Sequence, residues 1–307
     1  MNTNKNCLTW RRLWYLITRT LILIAIIVFF VYQYALRIEP NWLTIEYVKV
    51  PVQDLPTDLD GFKIVQLSDL HYYPYTPLSL IQEAVERTNR LKPDIVVLTG
   101  DYIDRKAEPV LELVPILAKL NAQYGVFAIL GNHDHSKMVK TAFEEETSIS
   151  LLINQGINLT IGQAHLYLAG LAPGSKGNLS LALEHHSPKV PILLLVHEPD
   201  LVDIYAQDSR ITLQLSGHTH GGQVRIPFFG ALVLPYSGEK YDHGLYQINH
   251  TWLYSTRGIG VIGPPFGPPV RFNCPPEITV ITLKGFHLTG GFSNRRILPL
   301  WDFIVAK

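Results

Sequence analysis

Five times along this chain a short apolar run stops at a polar cluster of Asp, Asn or His. "FKIVQLSDLH" stops at Asp69 and His71, and "PDIVVLTGD" stops at Asp101, with Asp104 just beyond. "YGVFAILGNHD" stops at Asn132, His133 and Asp134. "PILLLVHEPD" reaches His197, and "ITLQLSGHTH" reaches His218 and His220. Short apolar runs rich in β-branched residues and closed by Gly or Asp read as buried strands. Between them, "LSLIQEAVERTNRL" has helical spacing, and "EPVLELVPILAKL" reads as a helix that Pro115 kinks. Strands alternating with helices predict an α/β layered fold, and the late strands "TWLYSTRG" and "EITVITL" predict a mixed sheet. Ligands in such folds bind beyond the carboxyl ends of the strands. Five strand ends bearing these side chains therefore predict one shared site.

The chemistry of that site follows from its donors. Asp, Asn and His offer oxygen and nitrogen and no thiolate. That set suits Mn, Fe, Zn, Ni or Co, with manganese foremost, rather than a closed structural zinc. Asp69, His71, Asp101, Asn132, His197, His218 and His220 are too many ligands for one such ion and suit two. In "DLH" and "HTH" the polar residues alternate, which in extended backbone puts them on one face, about 7 Å apart. Two ions about 3.5–4 Å apart can hold a hydroxide and a phosphoryl oxygen for in-line displacement at phosphorus.

Composition narrows the alternatives. Lys+Arg and Asp+Glu balance at 26 each, without the basic excess of a nucleic-acid binder, which disfavours a nuclease. A non-catalytic metal-bearing scaffold would be signalled by a missing ligand or a missing His133, and none is missing. Cys7 and Cys274 are the two cysteines, and their positions do not suggest a disulfide framework.

The N-terminal region is of another kind. "TLILIAIIVFFVYQYAL", residues 20–36, carries no charge and is near the ~20 residues that span a bilayer. A cleaved signal peptide is the competing reading, and no small-x-small cleavage site follows the run. Arg11–Arg12 also fits a twin-arginine export signal loosely. Lys5, Arg11, Arg12 and Arg19 precede the span, against Arg37 and Lys49 after it. That excess keeps residues 1–19 cytoplasmic and turns the main domain outward. Residues 37–59 read as a connector with a short strand near "WLTIEYVKV", residues 60–285 as the catalytic domain, and 286–307 as a tail that lies on a membrane surface or packs on the domain.

The blocks "SDLH", "GDYID", "GNHD", "VHEPD" and "GHTHGGQ", in that order, resemble the signature blocks of the calcineurin-like metallophosphoesterases. The resemblance implies a layered sandwich of mixed β-sheets flanked by helices. It implies that Asp69, His71 and His220 hold a first divalent metal, that Asn132, His197 and His218 hold a second, and that Asp101 bridges them. It also implies that His133 faces the substrate, stabilising phosphoryl charge or protonating the leaving oxygen, with Asp104 orienting it. Asp134 would support the loop, and Gly100, Gly131 and Gly217 would allow tight turns. Lys106 after "GDYIDR", and Asp134 in "GNHD", depart from the protein Ser/Thr phosphatase pattern and disfavour that activity.

The N-terminal span, "GHTHGGQVRIP" and "STRGIGVIGPPFGPPVRFNCPPEITVITL" together resemble the bacterial membrane-associated, YkuE/YaeI-type phosphodiesterase branch. Related members cleave the pyrophosphate of UDP-2,3-diacylglucosamine in lipid A synthesis. A lipid-linked phosphodiester or pyrophosphate substrate is thus expected. Arg257 and Arg271, with Arg225, are candidates to bind its phosphate. Tyr72, Tyr73, Tyr75, Phe228 and Phe229 stand as contacts for an acyl chain or base, or as ordinary loop packing. A UDP-lipid would require the site at the cytoplasmic face, against the orientation that the flanking charges favour.

Overall fold

The computed structural model describes residues 3–104, 106–134, 137–263 and 267–286. The elements run α1 (Thr3–Arg37), β1 (Thr44–Gln53), β2 (Lys63–Leu67), α2 (Leu78–Arg90), β3 (Ile95–Leu98), α3 (Val110–Leu117), β4 (Val126–Ala128) and α4 (Lys137–Glu146). They continue with β5 (Ser150–Leu151), β6 (Gln155–Ile161), β7 (Ala164–Gly170), α5 (Leu179–Ala182), β8 (Ile192–Leu195), α6 (Val202–Tyr205) and β9 (Ile211–Ser216). Last come β10 (Arg225–Ile226), β11 (Gly230–Ala231), β12 (Gly244–Ile248), β13 (Thr251–Ser255) and β14 (Glu277–Phe286).

Two six-stranded sheets form, in the orders β1-β14-β2-β3-β4-β5 and β12-β13-β9-β8-β7-β6. Strands β2 to β5 run parallel, as do β7, β8, β9 and β13. β14 is antiparallel to β2, and β6 and β12 close the second sheet antiparallel at its edges. Both sheets are therefore mixed.

The strand "IVVL" shows why these runs are unbroken. Ile95 and Val97 pack into a core shared by both sheets, together with Leu193, Leu195, Leu213 and Leu215. Val96 and Leu98 point the other way, onto Ile81, Leu113 and Phe143 of the helical layer. Side chains alternate across a strand, so a strand buried on both faces must be apolar throughout. The outer face of the second sheet is covered similarly, around Ala182, Leu194 and Tyr205. The layers are helix, sheet, sheet, helix. Pro115 sits inside α3, which ends soon after it.

The N-terminal helix is longer than the expected span. The helix begins at Thr3 rather than at residue 20, and its apolar side chains are exposed from Trp10 to Tyr32, with Ala35 of the last turn buried. Arg11, Arg12 and Arg19 thus belong to the helix itself. The strand expected near "WLTIEYVKV" forms as β1, which runs on to Gln53 and pairs with β14 in parallel, from Thr44 opposite Glu277 to Gln53 opposite Phe286. Pro51 is accommodated because β1 is an edge strand, where a missing N–H costs no ladder bond. The expected tail from residue 287 onward lies outside the described residues.

Candidate dinuclear metal centre

The site assembles from both sheets. β2, β3 and β4 deliver Asp69, His71, Asp101 and Asn132, while β8 and β9 deliver His197, His218 and His220. The sequence reading assumed extended backbone in "DLH" and "HTH", and the structure corrects this. Asp69, His71, Asp101, His218 and His220 all have left-handed backbone, with φ of 51°, 40°, 56°, 72° and 52°. This conformation is uncommon for residues with a Cβ and persists only where surroundings impose it. Here the turns brace one another. The Asp69 N–H donates to the Gly100 carbonyl (2.9 Å) and the His71 N–H to the Asp101 carbonyl (3.0 Å). The His218 N–H donates to Asp69 Oδ1 (2.8 Å), which joins the two sheets at the ligands themselves.

Among the described residues, three groups of donor atoms result: His71, Asp104 and His133 make one, and the other two consist of expected ligands alone. Asp69, His71 and His220 form one, and Asp101, His197 and His218 the other, with the atoms of each group within 4.8 Å of one another. Asp101 stands between them. Its Oδ1 accepts from the His133 N–H (2.9 Å), while its Oδ2 lies 3.4 Å from His71 Nε2 and 3.1 Å from His197 Nε2. Asn132 is exposed in the turn between Gly131 and His133.

The residues fit divalent cations. Asp69 Oδ2, both ring nitrogens of His71, His197 Nε2 and His220 Nε2 are buried with no hydrogen-bond partner. Orphaned buried polar atoms are rare, and several converging on one place fit bound ions. The rings are also oriented as ligands need. His197 Nδ1 donates to the Thr99 carbonyl (2.7 Å), which turns Nε2 toward Asp101. His218 Nε2 donates to the Tyr236 carbonyl (2.8 Å), which leaves Nδ1 for the site.

Charge is coupled across the cluster. Burial works against ionising Asp101, yet His197 and then His71 beside it hold its carboxyl well below the usual range. Burial would neutralise His197, but Asp101 pushes its imidazole well above the ordinary value. Burial, then the charges of His71 and Arg271, push His220 well below. Asp134 is fully buried, and burial and the Asp101 charge raise it to about 7. Its carboxyl accepts the N–H groups of Asp101, Tyr102 and Gly131, clamping two of the ligand turns together.

His133 is half-buried above His71, with ring centroids 4.9 Å apart. Its Nδ1 donates to the backbone carbonyl of Asp104 (2.9 Å), while the Asp104 carboxylate is 3.6 Å away. The expected orienting bond from Asp104 exists, but the main chain makes it.

The arginine expectations need correction. Arg271 is fully buried. Its guanidinium donates to the carbonyls of Arg257, Gly258, Gly260 and Cys274, and Nη2 lies 3.4 Å from His220 Nδ1. It braces the loop behind a ligand and has no N–H facing a substrate. Arg257 Nε donates to the buried Glu277 (2.6 Å), and Arg225 pairs with Asp242 (2.6 Å). Of the tyrosines, Tyr72 is buried and donates to Glu112 (2.6 Å), while Tyr73, Tyr75, Phe228 and Phe229 are exposed. Glu39 and Glu277 carried no local signal, because each acts on a partner far away in the chain: Glu277 accepts from Arg257 and Glu39 from the Cys274 N–H.

Two glycines matter by close approach. A Cβ on Gly131 would lie 2.1 Å from Asp101 Oδ1, and one on Gly217 would lie 2.3 Å from Asp69 Oδ2. Neither position tolerates a side chain while the carboxylates stay in place.

A two-sheet sandwich with Asp, Asn and His gathered at its strand ends defines a candidate metallohydrolase site. The calcineurin-like phosphoesterase family profile matches residues 62–222, and the chain belongs to that family of metal-dependent phosphoester hydrolases. It is 37% identical over 268 residues to YkuE of Bacillus subtilis, described as an uncharacterized metallophosphoesterase, covering 82% of this chain and 90% of that one. It is 32% identical over 262 residues to the phosphodiesterase YaeI of Escherichia coli, covering 80% and 90%. A Danio rerio transmembrane protein with a metallophosphoesterase domain is 32% identical over 260 residues, covering 77% of this chain and 56% of that one.

Proposed function

We propose that this chain is a membrane-anchored phosphodiesterase or pyrophosphatase that uses two divalent ions, manganese foremost, on a lipid-linked or envelope substrate of the UDP-2,3-diacylglucosamine type. The observation that carries the reading is Asp101 Oδ2, set between His71 of one donor group and His197 of the other. A carboxylate shared in this way serves two ions. Asp69, His71 and His220 would hold one, and Asn132, His197 and His218 the other. Bound there, the ions would polarise a phosphoryl oxygen and acidify a water.

The protein's own groups do the rest. Because a carbonyl accepts from Nδ1, the His133 Nδ1 carries a proton and Nε2 is the atom left for chemistry. Nε2 stabilises charge on the phosphoryl group when protonated and hands its proton to the leaving oxygen. Similarity to the phosphodiesterase YaeI supports diester rather than monoester chemistry.

An exposed apolar helix supports the anchor. Trp14 and Tyr32 are both exposed, and at 1.5 Å per residue they lie about 27 Å apart along α1. That is close to the ~30 Å hydrocarbon thickness that aromatic residues flank. The positive charges before the span favour an extracytoplasmic site and hence an envelope phosphodiester.

Full-length protein in nanodiscs, supplied with Mn²⁺, is expected to hydrolyse bis(p-nitrophenyl) phosphate and, faster, a lipid phosphodiester or UDP-2,3-diacylglucosamine. Asp101→Ala retaining full turnover would remove the dinuclear reading. A C-terminal topology reporter on the cytoplasmic side would reverse the orientation and favour the UDP-lipid.

A further inference from the structure

Immediately after the ligand His220 the chain leaves the metal centre as a hairpin, β10 and β11, whose tip is Pro227–Phe228–Phe229. Phe228 is fully exposed, and it holds a left-handed φ of 71°. Phe229 is 84% exposed, and Leu232, Val233 and Tyr236 beyond it are exposed as well. Contiguous exposed apolar surface of this kind marks an interaction site. An aromatic residue kept in a costly backbone conformation, facing nothing in its own chain, points the same way.

The base of the hairpin fixes where it stands. Arg225 N–H donates to the Phe272 carbonyl (2.9 Å), and Phe272 N–H donates to the Gln223 carbonyl (2.9 Å). The next residue back, Arg271, donates its N–H to the carbonyl of Ala35 (2.9 Å), in the last turn of α1. Ala35 and Glu39 are buried, and the Cys274 N–H donates to the Glu39 carboxylate. A cavity at this junction is lined by Leu36 and Pro40 on one side and by Tyr75, Val261 and Pro269 on the other. The anchor is therefore docked on the catalytic domain rather than tethered to it. The hairpin is rooted one residue from the point of docking. Trp42, just past the helix, is also exposed at this level.

We propose that the β10–β11 hairpin is a second membrane contact, with Phe228 and Phe229 inserted into the lipid surface that α1 crosses. This rests on the membrane reading of α1. The occupant is a lipid bilayer because the hairpin's base is hydrogen-bonded to Phe272, next to the Arg271–Ala35 contact with α1, and its tip carries exposed aromatic and aliphatic side chains, which suit a headgroup–acyl boundary. The segments that flank the hairpin reach the metal centre: His220 lies five residues before β10, and the carbonyl of Tyr236, five residues after β11, accepts from His218 Nε2. Lipid contact at the tip thus sets the position of the site's mouth against the bilayer, where a lipid-linked phosphoester lies.

The test uses the full chain in nanodiscs, in a Cys7→Ser background in which Cys274 stays buried. Phe228→Cys, and separately Phe229→Cys, are labelled with an environment-sensitive fluorophore. Ile24→Cys in α1 and Lys189→Cys, exposed before β8 at the strand end opposite the metal site, serve as references. Spin-labelled lipids in the disc are the quencher. Strong quenching at residues 24, 228 and 229, with none at 189, is the expected result. Quenching at 24 with residues 228 and 229 as bright as 189 overturns the proposal and leaves the anchor intact. No quenching at 24 overturns the anchor reading and the proposal with it. Shielding at 228 that rises with protein per disc and ignores the quencher assigns the patch to a second copy, which also overturns the proposal.

Discussion

The ring of His133 is held by the main-chain carbonyl of Asp104, at 2.9 Å, and not by its carboxylate, which stands 3.6 Å from the same nitrogen. Replacing the Asp104 side chain therefore leaves the orienting hydrogen bond in place. Replacing the imidazole removes the proton donor.

His133→Asn is expected to lower kcat about 10²–10⁴-fold, the usual weight of a general acid. Asp104→Asn is expected to lower it less than about tenfold, because the main-chain carbonyl that holds the ring stays in place. Steady-state kinetics on bis(p-nitrophenyl) phosphate compares the two. Equal losses would return the orienting role to the carboxylate.

Each donor group lost should empty one ion. His220→Ala removes a member of the Asp69 and His71 group, and His218→Ala a member of the Asp101 and His197 group. Elemental analysis of purified protein is expected to give about one ion per chain for either variant, against two for the wild type and fewer than one for Asp101→Ala. Chelation should also lower Tm, since ligand at about 100 times its Kd stabilises by roughly 2.7 kcal/mol.

Glu277 contributes stability that is lost in acid. It is fully buried, which opposes its charge, but Arg257 and then hydrogen bonds from Thr279 and Tyr254 hold its carboxyl below the ordinary value. A depressed carboxyl stabilises the fold above its unfolded pKa, about 4.3, and that stabilisation disappears as pH falls through the lower folded value. Thermal melts from pH 7 downward should show a steep loss of Tm below about pH 4 that is shallower in Glu277→Gln. At neutral pH the variant should already be up to about 3 kcal/mol less stable, because Arg257 loses its buried partner and keeps only the exposed Glu46, 3.4 Å from Nη2.

Gly217→Ala tests the packing behind Asp69. The added Cβ would meet Ser68 Oγ at 2.0 Å and Asp69 Oδ2 at 2.3 Å. The neighbours must shift, at about 1–3 kcal/mol. The shift moves a ligand, so metal content should fall along with Tm, as calorimetry and elemental analysis would show. A variant that loses Tm but keeps both ions would confine the effect to packing.

The layered α/β class, the donor chemistry and the convergence at strand ends were legible in the chain, because apolar strands buried on both faces are continuous and their polar ends are local features. Leu98 and Leu195 read as buried strand residues whichever sheet they join. Three things depended on tertiary contacts. The ligand turns are left-handed because neighbouring turns brace them, as His218 N–H on Asp69 shows, and no local rule places Asp69 or His220 there. Arg271 and Arg257 read as free cations by type, but their charges meet carbonyls and Glu277 brought from distant segments. The strand near "WLTIEYVKV" was legible but its place in the sheet was not, because it pairs with the far end of the chain, a partner that only folding supplies. Residue type and periodicity are properties of neighbours in sequence; what a charge pairs with, and which backbone angles survive, are set by neighbours in space.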